Sequence, residues 1–389
     1  MINQRKIKML WLVIIISGLT TSVNLFGQAG GAAVPFLLIS PDARGSGMGE
    51  VGTAVADDIN AVFWNPAGLG FHGYIEDEYK TESDRTPYRQ VALTFSKWLP
   101  QFNADLFYSY LTAGQYFEDL DGTVAVNFIF MNLGEFTRTH ESGVVLGKFI
   151  SNEFALGLSY GTVIATDLSL GFQLRYIQSN LAPVSAGQQG AGTGISGGFD
   201  IGLLWKPQDL NIFGWDAQDL LSLGFNLQNV GPKVTYRNES DPLPTSLRLG
   251  AAFNLVKDEF NDLKVSFDVS KLLVKRQTNT FFVPNKDDST KIDTIYKTDS
   301  DPLPKSLITG WKNPGVEFSI GTEYWYEGLV ALRAGYFYEP TRLGGRKFWN
   351  FGAGVRYDIF SLDFSYINTI EENHPLANTM RFSLLINWD

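Results

Sequence analysis

From about residue 88 to the end of the chain, large apolar side chains recur at every second position. Leu168, Leu170, Phe172, Leu174 and Tyr176 alternate with Ser169, Gly171, Gln173 and Arg175. A period of two places every large apolar group on one face of an extended strand, which helical spacing cannot do. Leu221, Leu223, Phe225 and Leu227 repeat the pattern, as do Phe360, Leu362, Phe364 and Tyr366. The last segment sets Phe382, Leu384, Ile386 and Trp388 against Arg381, Ser383 and Asn387. Fourteen strands are predicted, near 89–98, 103–112, 123–132, 153–162, 168–177, 198–206, 221–230, 246–254, 264–273, 316–325, 329–338, 348–357, 360–367 and 381–388.

Alternation suits both a soluble sandwich and a membrane barrel, so strand length and connections decide. Many segments run to about ten residues with aromatics at their ends, the length and girdle of a tilted membrane crossing. Connections are long around 133–152, 178–197, 231–245, 274–315 and 368–380 and short around 163–167, 326–328 and 358–359. Long outer loops and tight periplasmic turns are the habit of transmembrane barrels. Two connections break it: 99–102 is short for an outer loop and 207–220 long for a periplasmic turn. Inside hydrocarbon, main-chain groups must pair within the protein, and only a closed sheet does so without an edge. A soluble periplasmic sandwich would need a second sheet over its apolar stripes. The expected fold is all-β: a 14-stranded antiparallel transmembrane β-barrel over 88–389.

Composition narrows the class further. The chain has 389 residues, 54 of them aromatic by the sum of 29 Phe, 16 Tyr and 9 Trp. Its mean hydropathy of −0.05 leaves no room for a bundle of apolar helices. With 31 basic and 41 acidic residues and a net charge of −10, nucleic acid is not an expected partner. The absence of cysteine removes thiolate chemistry, disulfides and the lipid-anchor residue of a lipoprotein. At the N-terminus, Arg5, Lys6 and Lys8 precede the apolar run Met9–Ile16, and Gly27-Gln28-Ala29 offers a small-x-small cleavage pattern. Residues 1–29 therefore read as a cleaved export signal rather than a membrane anchor.

Residues 30–87 do not alternate and carry small residues around an apolar turn, Ile59-Asn60-Ala61-Val62-Phe63-Trp64. Asp57 or Asp58 suits a short helix cap, and Pro66 disfavours helical geometry at Asn65. A barrel of this size has a lumen that wall side chains do not fill, so the segment is expected to be a plug containing a short helix. Its motifs are Pro41-Asp42-Ala43-Arg44, Gly47-Met48-Gly49, Asp57-Asp58 and Asn65-Pro66-Ala67-Gly68-Leu69. These resemble the N-terminal hatch of FadL-type outer-membrane barrels, a family with fourteen strands and a luminal plug. Pro35-Phe36-Leu37-Leu38-Ile39 and Leu227-Gln228-Asn229-Val230-Gly231-Pro232 are closer to the PorV and PorQ family of the type IX secretion system. The chain departs from many barrels in ending on Asp389 after Trp388.

The resemblance marks Asp42, Arg44, Gly47, Gly49, Asp57, Asp58, Asn65, Pro66, Gly68 and Leu69 as family positions of the plug. Inward-facing charges, by strand parity, are Asp105, Asp200, Asp268, Glu317, Glu323 and Asp363 against Arg175, Arg248, Arg333, Arg356 and Arg381. A selective pore wants a ring of one sign, so this balance reads as ion pairs holding plug to wall, with Arg44 anchored by a wall carboxylate. His72, His140 and His374 lie in no metal-ligand spacing and read as solvated loop residues, and no nucleophile elbow occurs. No enzyme, metal or cofactor is expected. Phe281, Phe282, Val283 and Pro284 interrupt a polar loop and form a candidate contact site, the alternative being that they fold onto the rim. Ser240–Leu247 and Ser300–Leu307 echo one another as Ser-Asp-Pro-Leu-Pro-x-Ser-Leu, read as a device that begins a strand.

What the PorV resemblance implies is an outer-membrane protein of a Gram-negative cell, embedded in lipid. It would stand beside a large translocon protein and receive secreted cargo through C-terminal signal domains. The competing expectations are a FadL-like channel for hydrophobic compounds and a PorQ-like part of a surface attachment complex.

Overall fold

The computed structural model describes residues 32–72, 89–102, 105–139, 144–181, 192–207, 211–212, 215–216, 220–236, 239–274, 276–284, 292–312, 315–341, 343–372 and 374–388. The signal at 1–29 lies outside them. Fourteen antiparallel strands close into one barrel. They are β1 (Arg89–Lys97), β2 (Phe107–Phe117), β3 (Gly122–Thr139), β4 (Val145–Ala165), β5 (Leu168–Asn180), β6 (Thr193–Trp205), β7 (Leu221–Val230), β8 (Ser246–Lys257), β9 (Asn261–Leu272), β10 (Glu317–Tyr326), β11 (Val330–Tyr338), β12 (Lys347–Tyr357), β13 (Phe360–Thr369) and β14 (Met380–Trp388). Closure comes from β1 against β14, with Arg89 opposite Trp388 and Ser96 opposite Arg381.

The two faces of the wall have opposite chemistry. Outward Leu174 and Leu362 are 61% and 60% exposed, while inward Asp200 and Asn226 are fully covered. That inversion of a soluble protein is what a lipid solvent selects. Around the outside, Phe95, Phe107, Phe130, Phe128, Phe154 and Tyr176 follow one another with ring centroids 5.9 to 6.4 Å apart, a girdle across β1 to β5. Both ends of the wall lie at the rim that carries the tight turns, so that rim is periplasmic.

Several connections differ from the sequence reading. The region 133–152 is a ribbon: β3 and β4 stay paired from Glu135–Ile150 to Thr139–Val145, past the point where β4 leaves β5 at Asn152–Asn180. Gly134, at φ 82°, forms the bulge that breaks the alternation there. The short outer connection at 99–102 disappears because β2 begins at Phe107. The long periplasmic connection remains and carries the pair Asn211–Ile212 with Trp215–Asp216. Only the first copy of the proline echo begins a strand, at Ser246. The second turns into a helix, Leu303–Thr309, where Pro302 and Pro304 take the cap and the first turn and Thr309 Oγ1 donates to Asp301.

Residues 32–72 run through the lumen. At the outer end, Ala33 N–H donates to Pro242 O at 2.9 Å. At the periplasmic end, Gly70 lies against Ser169 and Thr162. Between them stand a 3-10 turn (Pro35–Leu38), α1 (Ala43–Gly47), α2 (Ala61–Trp64) and a second 3-10 turn (Pro66–Phe71). Pro35 and Pro66 open the two 3-10 turns, where their missing N–H costs nothing. The plug main chain touches the wall at wall glycines. A methyl group at Gly171 would overlap Pro66, at Gly224 Thr53, and at Gly321 or Gly335 Met48. Pairing Gly161 with Gly171 and Gly171 with Gly202, and Gly224 with Gly250, the ladder gathers these positions into shallow grooves that admit bare backbone. Gly171→Val is expected to unseat the plug without opening the barrel. Ion conductance in planar bilayers should rise while heat-modifiable gel migration stays as in the parent, and an unaltered conductance would argue against this packing.

Candidate functional site

The plug positions marked by sequence converge on one lock between plug and wall. Asp42 caps α1, accepting from Gly45 N–H at 2.6 Å and, through its other oxygen, from the Trp64 indole at 2.7 Å. One carboxylate thus joins α1 to α2. Gly45 and Gly52 leave room for the Trp64 ring. Gly49, at φ 75°, adopts a left-handed turn directly against Tyr336 N and Ile320 O, where any side chain would collide. A Cβ at Gly47 would stand 3.0 Å from Gly352 Cα, and one at Gly68 would overlap Ala56 O. Asn65 donates to Thr53 O and Leu203 O at 2.9 and 3.0 Å and accepts from Ala67 N–H at 3.2 Å, so it ties plug to plug and plug to wall. Pro66 and Leu69 are buried beside it.

Arg44 is the centre of the charge network. Its Nε and Nη2 donate to the two oxygens of Glu323 on β10 at 2.9 and 2.7 Å. Nη1 donates to Asp58 Oδ2 at 3.0 Å and to Asp57 Oδ1. Arg44 therefore meets a wall carboxylate as the charge balance suggested. Glu323 also accepts from Arg333 Nε at 2.6 Å, and Arg333 reaches Asp363 at 2.7 Å. Lys264 on β9 pairs with Asp57 at 3.1 Å. A forked guanidinium on a carboxylate is the strong, oriented form of ion pair. The network forms the floor of a cavity of about 370 Å³ that faces the periplasmic turns and is also lined by Gln90, Asp258 and Arg356.

A second set of wall groups was not singled out from sequence. Asp268 accepts from Gly52 N–H, Thr53 N–H and Thr53 Oγ1 at 3.0, 2.9 and 2.6 Å. Ser383 accepts from Ala43 N–H, and Gln90 from Ile59 N–H. Asn226, Gln228 and Asn350 donate to the carbonyls of Trp64, Phe63 and Ser46. Uncharged amides at inward parity were the available signal. They satisfy the loop-like plug backbone, which has few partners of its own.

Three readings need correction. Asp105 lies exposed before β2 and not in the lumen, because β2 starts later than its pattern suggested. Arg356 stacks on Trp325 at the open mouth instead of joining the buried mesh. His72 is buried, not solvated, and burial pushes its imidazole down to about 4. Asp42 moves the other way: burial, and then the charge of Asp58, push its carboxyl up to about 6 against the pull of its two donors. His140 lies outside the described residues. Phe281 to Pro284 belong to a strand, Arg276–Pro284, paired with Ile292–Ser300 in a hairpin separate from the barrel. Their side chains lie outside the described part of the structure.

A family described as type IX secretion system protein PorV matches residues 27–279. No curated protein matches the chain. Among solved structures, the chain is similar to the Pseudomonas putida toluene transporter TodX, at 14% identity over 94% of this chain and 99% of that one, with a TM-score of 0.49. A Pseudomonas aeruginosa FadL homologue is also 14% identical, over 92% of this chain and 100% of that one, with a TM-score of 0.46.

Arg44→Ala leaves Glu323 and the plug carboxylates facing one another and is expected to destabilise the plug by about 3 kcal/mol. Faster amide exchange over 42–64, with barrel strands unaffected, is the readout. Unchanged exchange would count against the network. Asp42 binds its proton more tightly folded than unfolded, so its contribution is present at low pH and lost as pH rises from 3.8 to about 6. His72 has the opposite slope below 6.5. The pH dependence of plug exchange in the parent minus that in Asp42→Asn isolates the first term, and a flat difference across this window would refute it.

Proposed function

The chain belongs to the PorV family of type IX secretion system proteins, and we propose on that footing that it is a non-enzymatic docking barrel. It stands beside a large outer-membrane translocon protein and receives secreted proteins through their C-terminal signal domains. As a closed barrel of that family it is an outer-membrane component of the secretion system. The observation that carries the docking role over a conduit role is the filled lumen.

In a channel for hydrophobic compounds, an apolar surface inside the wall would be free to receive ligand. Here Tyr108, Tyr110, Ile129, Met131, Ala155 and Ile177 form such a surface on β2 to β5, and Ala33, Val34, Phe36 and Leu37 of the chain cover it. Below that seat the buried ion pairs Arg44–Glu323, Arg333–Glu323 and Arg175–Asp200 close the rest. These features support a plugged scaffold whose working parts are outside. The hairpin Arg276–Pro284 with Ile292–Ser300 has nine-residue strands, a reach of about 30 Å, and the β3–β4 ribbon rises at the same rim. Family membership favours this reading over the PorQ-like alternative.

Deleting the hairpin that contains Phe281 and Phe282 is expected to abolish capture of a cargo C-terminal domain in pull-down from detergent extracts. Barrel insertion, followed by heat-modifiable migration, should be intact. Undiminished capture by the deleted form would refute the assignment of the hairpin, and absence of any cargo or large barrel partner in eluates of the parent would move the function to uptake.

A further inference from the structure

The barrel wall is not continuous between β6 and β7. Their ladder runs from Trp205–Leu223 to Ile201–Leu227, shifts, and ends at Phe199–Val230. Asn229 causes the shift: it sits at φ 55° as an extra residue in β7, its N–H bonded to Asp200 and its side-chain oxygen accepting from Arg175. Gly231-Pro232 then leads the chain out of the wall, and proline has no N–H to extend a ladder. Above Phe199, β6 from Thr193 to Gly198 still pairs with β5, but no residue of β7 stands opposite its other edge. The segment Pro232–Tyr236 lies near this edge through Ser196 Oγ, which donates to Pro232 O, and through Gly194 against Val234, without forming a ladder.

Outside this break is an apolar groove of about 600 Å³, lined among others by Val126, Leu156, Leu174, Tyr176, Phe199 and Val230. Its level is fixed by the girdle. Tyr176, the last aromatic of the row, pairs directly with Gly197, so the groove begins where the girdle stops. Aromatic girdles mark the boundary between hydrocarbon and headgroups. The groove therefore has apolar walls at the depth of acyl chains and an unpaired strand edge at the depth of ester and amide carbonyls. Main-chain groups left unpaired at that depth are costly, and water is scarce there. An amphiphile with a chain and a carbonyl satisfies both at once.

We infer that the β6–β7 groove holds an acyl chain of an outer-leaflet lipid, whose carbonyl or hydroxyl groups meet the free edge of Thr193–Gly198. The groove is continuous with the lipid-facing surface, so lipid reaches it without crossing the wall. It does not open on the luminal seat, because Ile177 and Leu243 stand behind Gly198. The site is independent of the cargo-docking role.

The test uses the full barrel in phosphatidylethanolamine vesicles containing a phosphatidylethanolamine with a photoactivatable diazirine in its acyl chain. Photolabelling is expected to concentrate in peptides 195–199 and 230–232. Gly197→Trp fills the groove, and the fold tolerates it, because a Cβ there meets only Arg175 O at 3.7 Å. That variant should lower labelling of these peptides about tenfold. Leu332→Trp, a matched change at an exposed outward position on β11, should not. Labelling spread evenly around the barrel, or labelling unchanged in Gly197→Trp, would overturn the inference. So would a polypeptide captured by a photo-crosslinker at Ile195 in intact cells, since a strand would then be the occupant.

Discussion

Everything in this molecule follows from the need to pair main-chain N–H and C=O groups where there is no water. A single strand cannot meet that need, and an open sheet leaves two edges, so the chain closes β1 on β14. Closure at fourteen strands makes a lumen, and the lumen then has to be filled. The plug is thus a consequence of the wall, and its own loop-like backbone creates a second pairing problem inside the first.

The wall solves that second problem with side chains. Asp268, Ser383 and Gln90 accept from plug N–H groups, and Asn226, Gln228 and Asn350 donate to plug carbonyls, each at inward parity on a strand. Glycines on neighbouring strands let the two backbones come close enough for this to work. The Arg44–Glu323 pair adds direction more than net stability. Burying both charges costs about as much as their attraction returns, but any other seating of the plug strands one of them. Such a lock suits a scaffold that must keep one shape while its outer hairpins work, since binding and recognition tend to sit on loops carried by a rigid frame.

The one place where the pairing rule lapses is instructive for the same reason. Asn229 shifts the β6–β7 register and Gly231-Pro232 ends the ladder, so an edge remains open at the girdle. In a molecule otherwise built to leave no such edge, the exception points outward, to the solvent that is lipid. The motif from Leu227 to Pro232 is accordingly a wall element and does not face cargo.

Strand number and position were legible in the sequence, because a period of two is written residue by residue and each outward Leu or Phe is chosen by lipid alone. The alternation at Leu168–Tyr176 or Phe382–Trp388 needs no knowledge of its neighbours. The plug motifs were legible as residues, and the need for a wall carboxylate opposite Arg44 followed from charge balance. The choice of Glu323 among the inward acids was not legible, nor were the amides that hold the plug, because those pairings depend on where a non-periodic segment lies across eight or more strands. The ribbon at 133–152 and the helix after Pro302 escaped for a related reason: a bulge at Gly134 shifts the period, and two identical Ser-Asp-Pro-Leu-Pro strings take different structures according to what they dock on. Local periodicity determined the wall, and long-range contact decided the lock and the break in the wall, since each joins residues that no short window of sequence contains together.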